Sequence, residues 1–261
     1  MKLRTFYIAA TAAALLFVSA CGGAKETAST EKAGGEAPAA AVTKVDPATA
    51  ATITGKVAFA GSAPKAIRID MSAEPDCKGL HSGPAQSEEV VVNANGTLAN
   101  VFVWVKGGLE GKSFEPASGS AALDQKGCIY KPHVIGVRAG QTIDISNSDP
   151  TTHNVHPMPK VNREWNQSQP PKGAPLPKAF PRPEIMVPIK CNVHPWMKSY
   201  IGVVDHPFFA VTGDQGTFEI KGLPPGDYVV EAWHEKFGVQ EQKVTLAPSA
   251  SGAVEFSFKG E

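Results

Sequence analysis

Residues 191–197 constrain the fold of this chain more than any other stretch, because they hold three side chains that can bind a metal. Cys191 offers a thiolate, His194 an imidazole and Met197 a thioether. A cysteine and a histidine at this spacing would suit zinc, but the thioether is a soft ligand that copper, and especially Cu(I), accepts readily. A fold that uses this stretch has to bring another imidazole to it.

An earlier turn, residues 147–154, can supply that imidazole. We predict a single type 1 (blue) copper ion held by two histidines and a cysteine, with a weak axial thioether. The predicted metal ligands are His153, Cys191, His194 and Met197. His156 lies three residues beyond His153, and an extended strand would point it to the opposite face. We therefore predict that His156 is a neighbour of the site and not a ligand.

Composition favours an all-β body. The chain has 22 prolines and 25 glycines, which would interrupt long helices. Between them lie short runs rich in valine, isoleucine and phenylalanine, which is typical of strands. The 25 basic and 25 acidic side chains balance, so no basic field indicates a nucleic-acid partner.

The metal-binding stretch reads Cys-Asn-Val-His-Pro-Trp-Met, which resembles the copper loop of the cupredoxins, the blue copper proteins of the amicyanin and plastocyanin type. Three other segments resemble the strands and the upstream ligand of that family; they are residues 130–132, 137–143 and 153–156. The resemblance covers residues 120–204. It implies that this part of the chain is a copper domain with a Greek-key β-sandwich fold.

The resemblance also implies electron transfer, since four protein ligands would leave no open position for a substrate. We therefore predict that the chain has no catalytic residues and is not an enzyme. Asn154 is expected to hydrogen-bond beside the ligands and tune the sulfur. Pro195 and Trp196 are expected beside an exposed edge of His194, as a docking patch for a redox partner. By analogy this partner is a c-type cytochrome or a periplasmic dehydrogenase; the alternative for Trp196 is ordinary packing.

Two other functions stay open. The chain could bind or buffer copper without redox traffic, or it could be a cell-surface β-sandwich module that binds glycans or proteins. Colourless binding of Cu(I) alone would favour the first. Glycan binding that is unchanged by Cys191→Ala would favour the second.

The start of the chain has the layout of an export signal. Lys2 and Arg4 precede a short apolar run that ends in Ser-Ala-Cys, and this resembles a lipoprotein signal peptide over residues 1–20 with acylation of Cys21. The alternative is an ordinary signal with an incidental cysteine. Residues 21–50 lack aromatic side chains and are expected to be a disordered tether. We expect an exported protein held on a membrane only by this anchor, in the outer membrane if the host has one.

Two cysteines remain, Cys77 and Cys128. In an exported protein they most simply form a disulfide. Closing a loop of this size would stabilise the fold by roughly 3–4 kcal/mol in the chain-entropy model. The rival interpretation is a second metal site that uses His81 or His133.

Both ends of the folded part resemble parts of one β-sandwich family. Residues 216–220 and 222–228 resemble the carboxypeptidase-regulatory-like β-sandwich, and residues 54–57 resemble its first strand. We divide the body into an N-terminal β segment, residues 51–119, the copper domain, and a C-terminal β segment, residues 205–261. One arrangement pairs the two ends in a single sandwich.

Finer expectations concern the strands and one insertion. Residues 67–71 are a candidate strand, and residues 89–93 and 98–105 flank a hairpin turn signal. The proline-rich insertion 157–183 lies between the ligand segments, and we hypothesise that it covers part of the site. His206 and His234 are expected to be packed or hydrogen-bonded rather than metal-bound.

Overall fold

The computed structural model describes residues 41–260, and these residues confirm the prediction of an all-β chain. Their strands are β1 Ala51–Ala60, β2 Phe102–Gly107, β3 Ala121–Gln125, β4 Tyr130–Lys131, β5 Val134–Arg138, β6 Ile143–Asn147, β7 His153–Pro157, β8 Gln167–Gln169, β9 Leu176–Lys178, β10 Glu184–Lys190, β11 Lys198–Val204, β12 Phe209–Val211, β13 Thr217–Leu223, β14 Gly226–His234, β15 Gly238–Leu246 and β16 Ser251–Lys259. Within this range the one α-helix is α1, Pro75–Gly79. None of the described helical structure is long and apolar enough to span a bilayer.

The first sandwich is built from both ends of the described chain. One sheet has the order β13-β1-β16, and the other has the order β12-β2-β14-β15. β1 runs antiparallel to β13 and parallel to β16. Alternate side chains of β1, such as Ile53 and Val57, are fully buried in the core between the two sheets. Strands of the N-terminal and C-terminal segments therefore share both sheets.

The second sandwich carries the predicted metal ligands. Its sheets have the orders β5-β11-β10-β7-β8 and β4-β3-β6-β9. The core between them includes Leu123, Ile145 and Ile201, all at most 1% exposed. β10 and β11 pair in antiparallel fashion, so the loop 191–197 that joins them sits at one end of this core.

A third apolar cluster joins the two sandwiches face to face. Phe102 on β2 packs with Val134 and Val204 of the second sandwich. Glycines make the room: a Cβ at Gly202 would lie 2.6 Å from the ring of Phe102, and one at Gly136 would lie 2.4 Å from the ring of Phe209. Since β2 and β11 each bury both faces, the four sheets form successive layers with three apolar interfaces.

Some strands predicted from sequence are absent from the described residues. The candidate strand 67–71 makes a single bridge, Arg68 with Gln86, and the predicted hairpin at 89–105 is held by a single bridge, Val92 with Leu98. The first segment runs outside the sheets, where Ile67 is 54% exposed, so no neighbouring strand extends its pairing. The second becomes a strand only from Phe102 onward, within β2, and Thr97 beside the turn bridges to Ala58 of β1. The turn itself is present, with Gly96 at φ +76°.

Two other segments differ from a plain loop or tether. The insertion 157–183 contains β8 and β9, which add to an edge of each sheet of the second sandwich. Residues 41–50 belong to the predicted disordered tether, but they contact the folded body. Val42 pairs with Ser113, and Ser249 donates a hydrogen bond to the Ala48 carbonyl. The predicted signal peptide, Cys21 and residues 21–40 lie outside the described residues.

Candidate metal centre

The loop between β10 and β11 folds back on itself. The N–H of Cys191 donates to the carbonyl of Met197 at 3.3 Å, and the N–H of Met197 donates to the carbonyl of His194 at 2.9 Å. The N–H of His194 points at Cys191 Sγ, 3.4 Å away. These bonds turn the sulfur and the imidazole of His194 to the same side, with Cys191 and Met197 both buried.

β7 brings the second imidazole. His153 is its first residue and is fully buried. Nδ1 of His153 lies 2.9 Å from Nδ1 of His194, and Cys191 Sγ lies 3.9 Å from that same nitrogen of His194. Donor atoms of the three side chains all lie within 4.8 Å of one another. The structure thus gathers the three strong ligands named from the sequence, with Met197 closing the loop beside them.

Asp149 orients His153. Its Oδ2 lies 2.9 Å from His153 Nε2, while its two oxygens accept the N–H groups of Gly127 and Cys128 at 2.7 Å each. Burial raises the pKa of Asp149, but these hydrogen bonds outweigh it and hold the pKa below its ordinary value. The carboxylate is therefore an acceptor, so His153 Nε2 carries the hydrogen and Nδ1 of the neutral ring carries a lone pair.

The other imidazole is set in the same sense. Nε2 of His194 lies 3.5 Å from Cys77 Sγ, which belongs to a disulfide with Cys128. A disulfide sulfur has no hydrogen to give, so His194 Nε2 is the donor of this contact and its Nδ1 also carries a lone pair. Two nitrogen lone pairs and a sulfur thus converge, which is a place for a cation.

The pKa shifts in the cluster arise from burial and from these same contacts. Burial lowers the pKa of His153, but the contacts with Asp149 and Cys191 raise it above its ordinary value overall. Burial and the neighbouring charge of His153 lower the pKa of His194. Burial raises the pKa of the Cys191 thiol, yet hydrogen bonds, that of His153 foremost, bring it below its ordinary value. A lowered pKa makes the thiolate, which is the form that binds metals, easier to reach.

Asn154 lies against the sulfur, where sequence reasoning placed it. Its Oδ1 is 3.3 Å from Cys191 Sγ and accepts the N–H of Asn192 at 2.7 Å. Its Nδ2 donates to Oδ1 of Asn166 at 2.6 Å, and β8 of the same insertion pairs with the backbone of His153 and Asn154. The insertion 157–183 therefore contacts the site through this side chain and through β8. Sequence reasoning missed Asn166 and gave Asp149 no role, although Asp149 stands in the turn that was singled out.

The prediction that His194 has an exposed edge is wrong. His194 is 1% exposed, because α1 and the disulfide lie against its Nε2. Pro195 is exposed, but Trp196 is only partly so, and its indole N–H donates to the carbonyl of Cys128 at 2.9 Å. Its ring centroid is 5.2 Å from that of His194. Both loop residues line a cleft of about 300 Å³.

Cys77 and Cys128 form a disulfide with Cα atoms 5.5 Å apart. The two histidines of the rival metal site are engaged elsewhere. His81 Nε2 contacts the carbonyl of Gly127 at 2.7 Å, and His133 pairs with Glu235. The imidazole that meets the disulfide is that of His194.

The remaining histidines lie outside the cluster. Nδ1 of His156 contacts Asn192 and its Nε2 contacts Glu164, as befits a neighbour of the loop. His206 and His234 accept backbone N–H groups through Nδ1 and pack against aromatic rings.

No family model and no curated protein matches this chain. Among solved structures, the chain is similar to an amicyanin mutant in the Cu(I) state, with 23% identity, 34% of this chain and 86% of that chain covered and a TM-score of 0.29. It is similar to an oxidized amicyanin mutant, with 21% identity, 35% and 88% coverage and a TM-score of 0.30. It is also similar to a copper-containing nitrite reductase from Thermus scotoductus SA-01, with 21% identity, 38% and 25% coverage and a TM-score of 0.29.

Proposed function

We propose that this chain binds one copper ion and carries single electrons. The ligands would be Nδ1 of His153, Nδ1 of His194 and the thiolate of Cys191, with the thioether of Met197 as the weak fourth. The observation that carries the proposal is the 2.9 Å approach of two imidazole Nδ1 atoms beside a buried sulfur. Two imidazoles and a thiolate form a donor set that copper prefers, and a thioether in the same loop favours copper over zinc.

When bound, copper supplies a one-electron redox couple. The residues of the chain hold its ligands still while the charge changes. Asp149 fixes the ring of His153, the disulfide abuts the ring of His194, and Asn154 contacts the sulfur. Such outer hydrogen bonds orient metal ligands and tune the metal. A rigid, buried set suits electron transfer because little has to move.

We propose a carrier rather than an enzyme. A catalytic metal centre keeps one position open for substrate. Here four protein ligands are available, and Cys191, His194 and Met197 are each at most 2% exposed. A substrate would have no approach to the metal except by displacing the loop.

The electron route that the geometry supports best runs from His194 to Trp196 and then to the cleft. Trp196 bridges the buried imidazole and the cleft wall that Pro195 and Lys198 complete. A redox partner, a c-type cytochrome or a periplasmic dehydrogenase by analogy, would dock there. The proposed setting is an exported lipoprotein anchored through Cys21.

The test is an absorption and EPR spectrum of the copper-loaded full chain. We expect an intense sulfur-to-copper charge-transfer band that disappears in Cys191→Ser. The band should persist with altered position in Met197→Leu. His234→Asn is the matched control, since this buried histidine lies outside the cluster, and it should leave the spectrum unchanged.

Two results would contradict the proposal. A copper-loaded wild-type chain without the band would remove the blue-copper assignment. A band that survives in Cys191→Ser would show that another group binds the copper.

One observation favours a second candidate, copper holding without redox traffic. The imidazole edge that was expected to pass electrons is closed by α1 and the disulfide. Rapid, reversible reduction by a small one-electron donor supports the carrier. Colourless binding of Cu(I) that exchanges readily with a chelator supports the copper-holding protein instead.

A further inference from the structure

The disulfide lies directly against the proposed copper site. Cys77 and Cys128 are fully buried, and Cys77 Sγ is 3.5 Å from Nε2 of His194. The two sulfurs and a ring nitrogen of His194 all lie within 4.8 Å of one another. These donors sit on the opposite edge of the imidazole from Nδ1, which faces His153.

The two sulfurs are held unequally. Cys128 is fixed, since Asp149 accepts its N–H at 2.7 Å and its carbonyl accepts the indole N–H of Trp196. Cys77 sits in α1, within residues 61–91, whose one bridge, Arg68 with Gln86, lies inside this segment, so no strand pairing ties the segment to the sheets. Segments with few such ties open at low free-energy cost. The Cys77 sulfur can therefore move away from that of Cys128 once the bond between them is broken.

We propose that Cys77 and Cys128, when reduced, form a second metal site that binds Cu(I), with Nε2 of His194 as the nearest third donor. This inference goes beyond the proposed function, because it adds copper storage that depends on thiol redox state. Two thiolates and at most one imidazole form a soft set of three donors, which suits Cu(I). Zinc favours four ligands in a tetrahedron.

A dithiol can act as the reductant of the disulfide between Cys77 and Cys128. The dithiol gives two electrons and two protons to the disulfide, whose S–S bond breaks to leave two thiols, and the dithiol becomes a disulfide. Cu(I) then displaces the two thiol protons to solvent and forms two Cu–S bonds without a change of oxidation state. Binding of Nε2 of His194 releases to solvent the proton that this nitrogen carries, because the other lone pair of the ring serves the first ion.

Other histidines near the disulfide do not complete the site. His81 Nε2 lies 2.7 Å from the carbonyl of Gly127, so it donates its hydrogen there. His133 is paired with Glu235. The second site is therefore built from the imidazole that also serves the first, and the two ions would face each other across one ring.

The experiment counts Cu(I) bound per full-length chain. Metal-free protein is treated with a phosphine, which reduces the disulfide and takes oxygen from water to become the phosphine oxide. After anaerobic desalting it is titrated with Cu(I) against a chromophoric Cu(I) chelator. We expect untreated protein to bind one equivalent and reduced protein to bind two.

Variants separate the two sites. Untreated Cys191→Ala should bind no Cu(I), and reduced Cys191→Ala should bind one equivalent through the thiols. A double variant, Cys77→Ser with Cys128→Ser, should bind one equivalent with or without phosphine. Binding by untreated Cys191→Ala would count against the proposed function and leave the thiol site to be judged by the phosphine-dependent gain alone.

The inference is overturned if phosphine adds no equivalent to wild-type protein and none to Cys191→Ala. It is equally overturned if the serine double variant gains one. Loss of the β-sheet circular dichroism on reduction would also overturn it, because the site requires the folded frame.

Discussion

Four of the five buried histidines divide between the two sandwiches, and the difference lies in which group each Nδ1 contacts. In the first sandwich, Nδ1 of His234 accepts the N–H groups of Lys236 at 3.1 Å and Phe237 at 3.3 Å, and Nδ1 of His206 accepts that of Phe208 at 3.2 Å. These rings close local turns. Their lone pairs are used by the backbone.

In the second sandwich, the Nδ1 atoms of His153 and His194 face each other and a sulfur. Nε2 of His153 contacts Asp149, and Nε2 of His194 contacts Cys77. All four rings are at most 5% exposed. Burial therefore does not distinguish a structural histidine from a ligand. What distinguishes them is the partner of the Nδ1 lone pair, which is a backbone N–H in the first sandwich and the proposed metal in the second.

The largest expected effect concerns covalent support, which the second sandwich has and the first lacks among the described residues. Replacing Cys77 and Cys128 with alanine removes a cross-link with a sequence separation of 51. The chain-entropy model predicts a loss of about 4 kcal/mol of unfolding free energy. Urea unfolding followed by circular dichroism measures it. Phosphine-reduced wild-type protein is the control and should lose a similar amount; a loss below about 1 kcal/mol would show that packing alone holds this region.

The next effect concerns acid stability of the first sandwich. Burial lowers the pKa of His234 from 6.5 to about 4 in the folded chain. Between these values the unfolded chain binds more protons, so stability is full above pH 6.5 and falls as pH drops towards 4. The loss at pH 4 is on the order of 3 kcal/mol, given about 1.4 kcal/mol for each unit of pKa.

His234→Asn tests this, since an amide oxygen can accept the same backbone N–H groups but does not titrate in this range. The variant should show a flatter dependence of unfolding free energy on pH between 6.5 and 4. Comparison above pH 6.5 gives the intrinsic cost of the substitution. An unchanged slope would show that His234 is not the group that carries the acid sensitivity.

A third prediction concerns the carboxylate that orients His153. Asp149→Asn replaces an oxygen acceptor of the His153 N–H or of a backbone N–H with an NH₂ group, so the ring loses its fixed orientation. We expect a loss of roughly 10- to 100-fold in copper affinity. Competition with a chelator measures it. The matched control is Asp124→Asn, whose carboxylate binds Ser146 and Ser148 in the same sandwich and should change affinity little.

Sequence patterns predicted the parts of this molecule that depend on local chemistry. The turn between residues 89–93 and 98–105 was predicted because an Asn-Gly pair favours a backbone of positive φ, and Gly96 has φ +76°. The convergence of His153 with Cys191 and His194 followed from two motifs that only a sandwich of this kind brings together. In contrast, residues 67–71 alternate like a strand but lie where no sheet edge receives them.

The features that the sequence did not predict depend on contacts between distant segments. The cover over His194 comes from Cys77, 117 residues earlier, and nothing in the loop indicates it. Asp149 acts on backbone N–H groups of residues 127 and 128, which any sequence would offer. Asn166 is one polar residue among several in the insertion, and only the fold selects it.

The smallest expected effect tests whether the insertion supports the site through that asparagine. Asn166→Ala removes the acceptor for Asn154 Nδ2, and so frees the amide whose oxygen contacts Cys191 Sγ. The loss of one hydrogen bond corresponds to about 1 kcal/mol. We expect a shift of the charge-transfer band and a loss of copper affinity of about tenfold or less.

Two variants make this last test specific. Asn166→Asp retains an acceptor at the same position and should restore the wild-type spectrum. Asn162→Ala removes hydrogen bonds to Arg182 of the insertion and to Glu184 of β10, neither of which contacts the sulfur, so it should leave the band in place. If Asn162→Ala shifts the band as much as Asn166→Ala, the insertion affects the copper site through its overall packing. In that case the contact between Asn166 and Asn154 has no separate role.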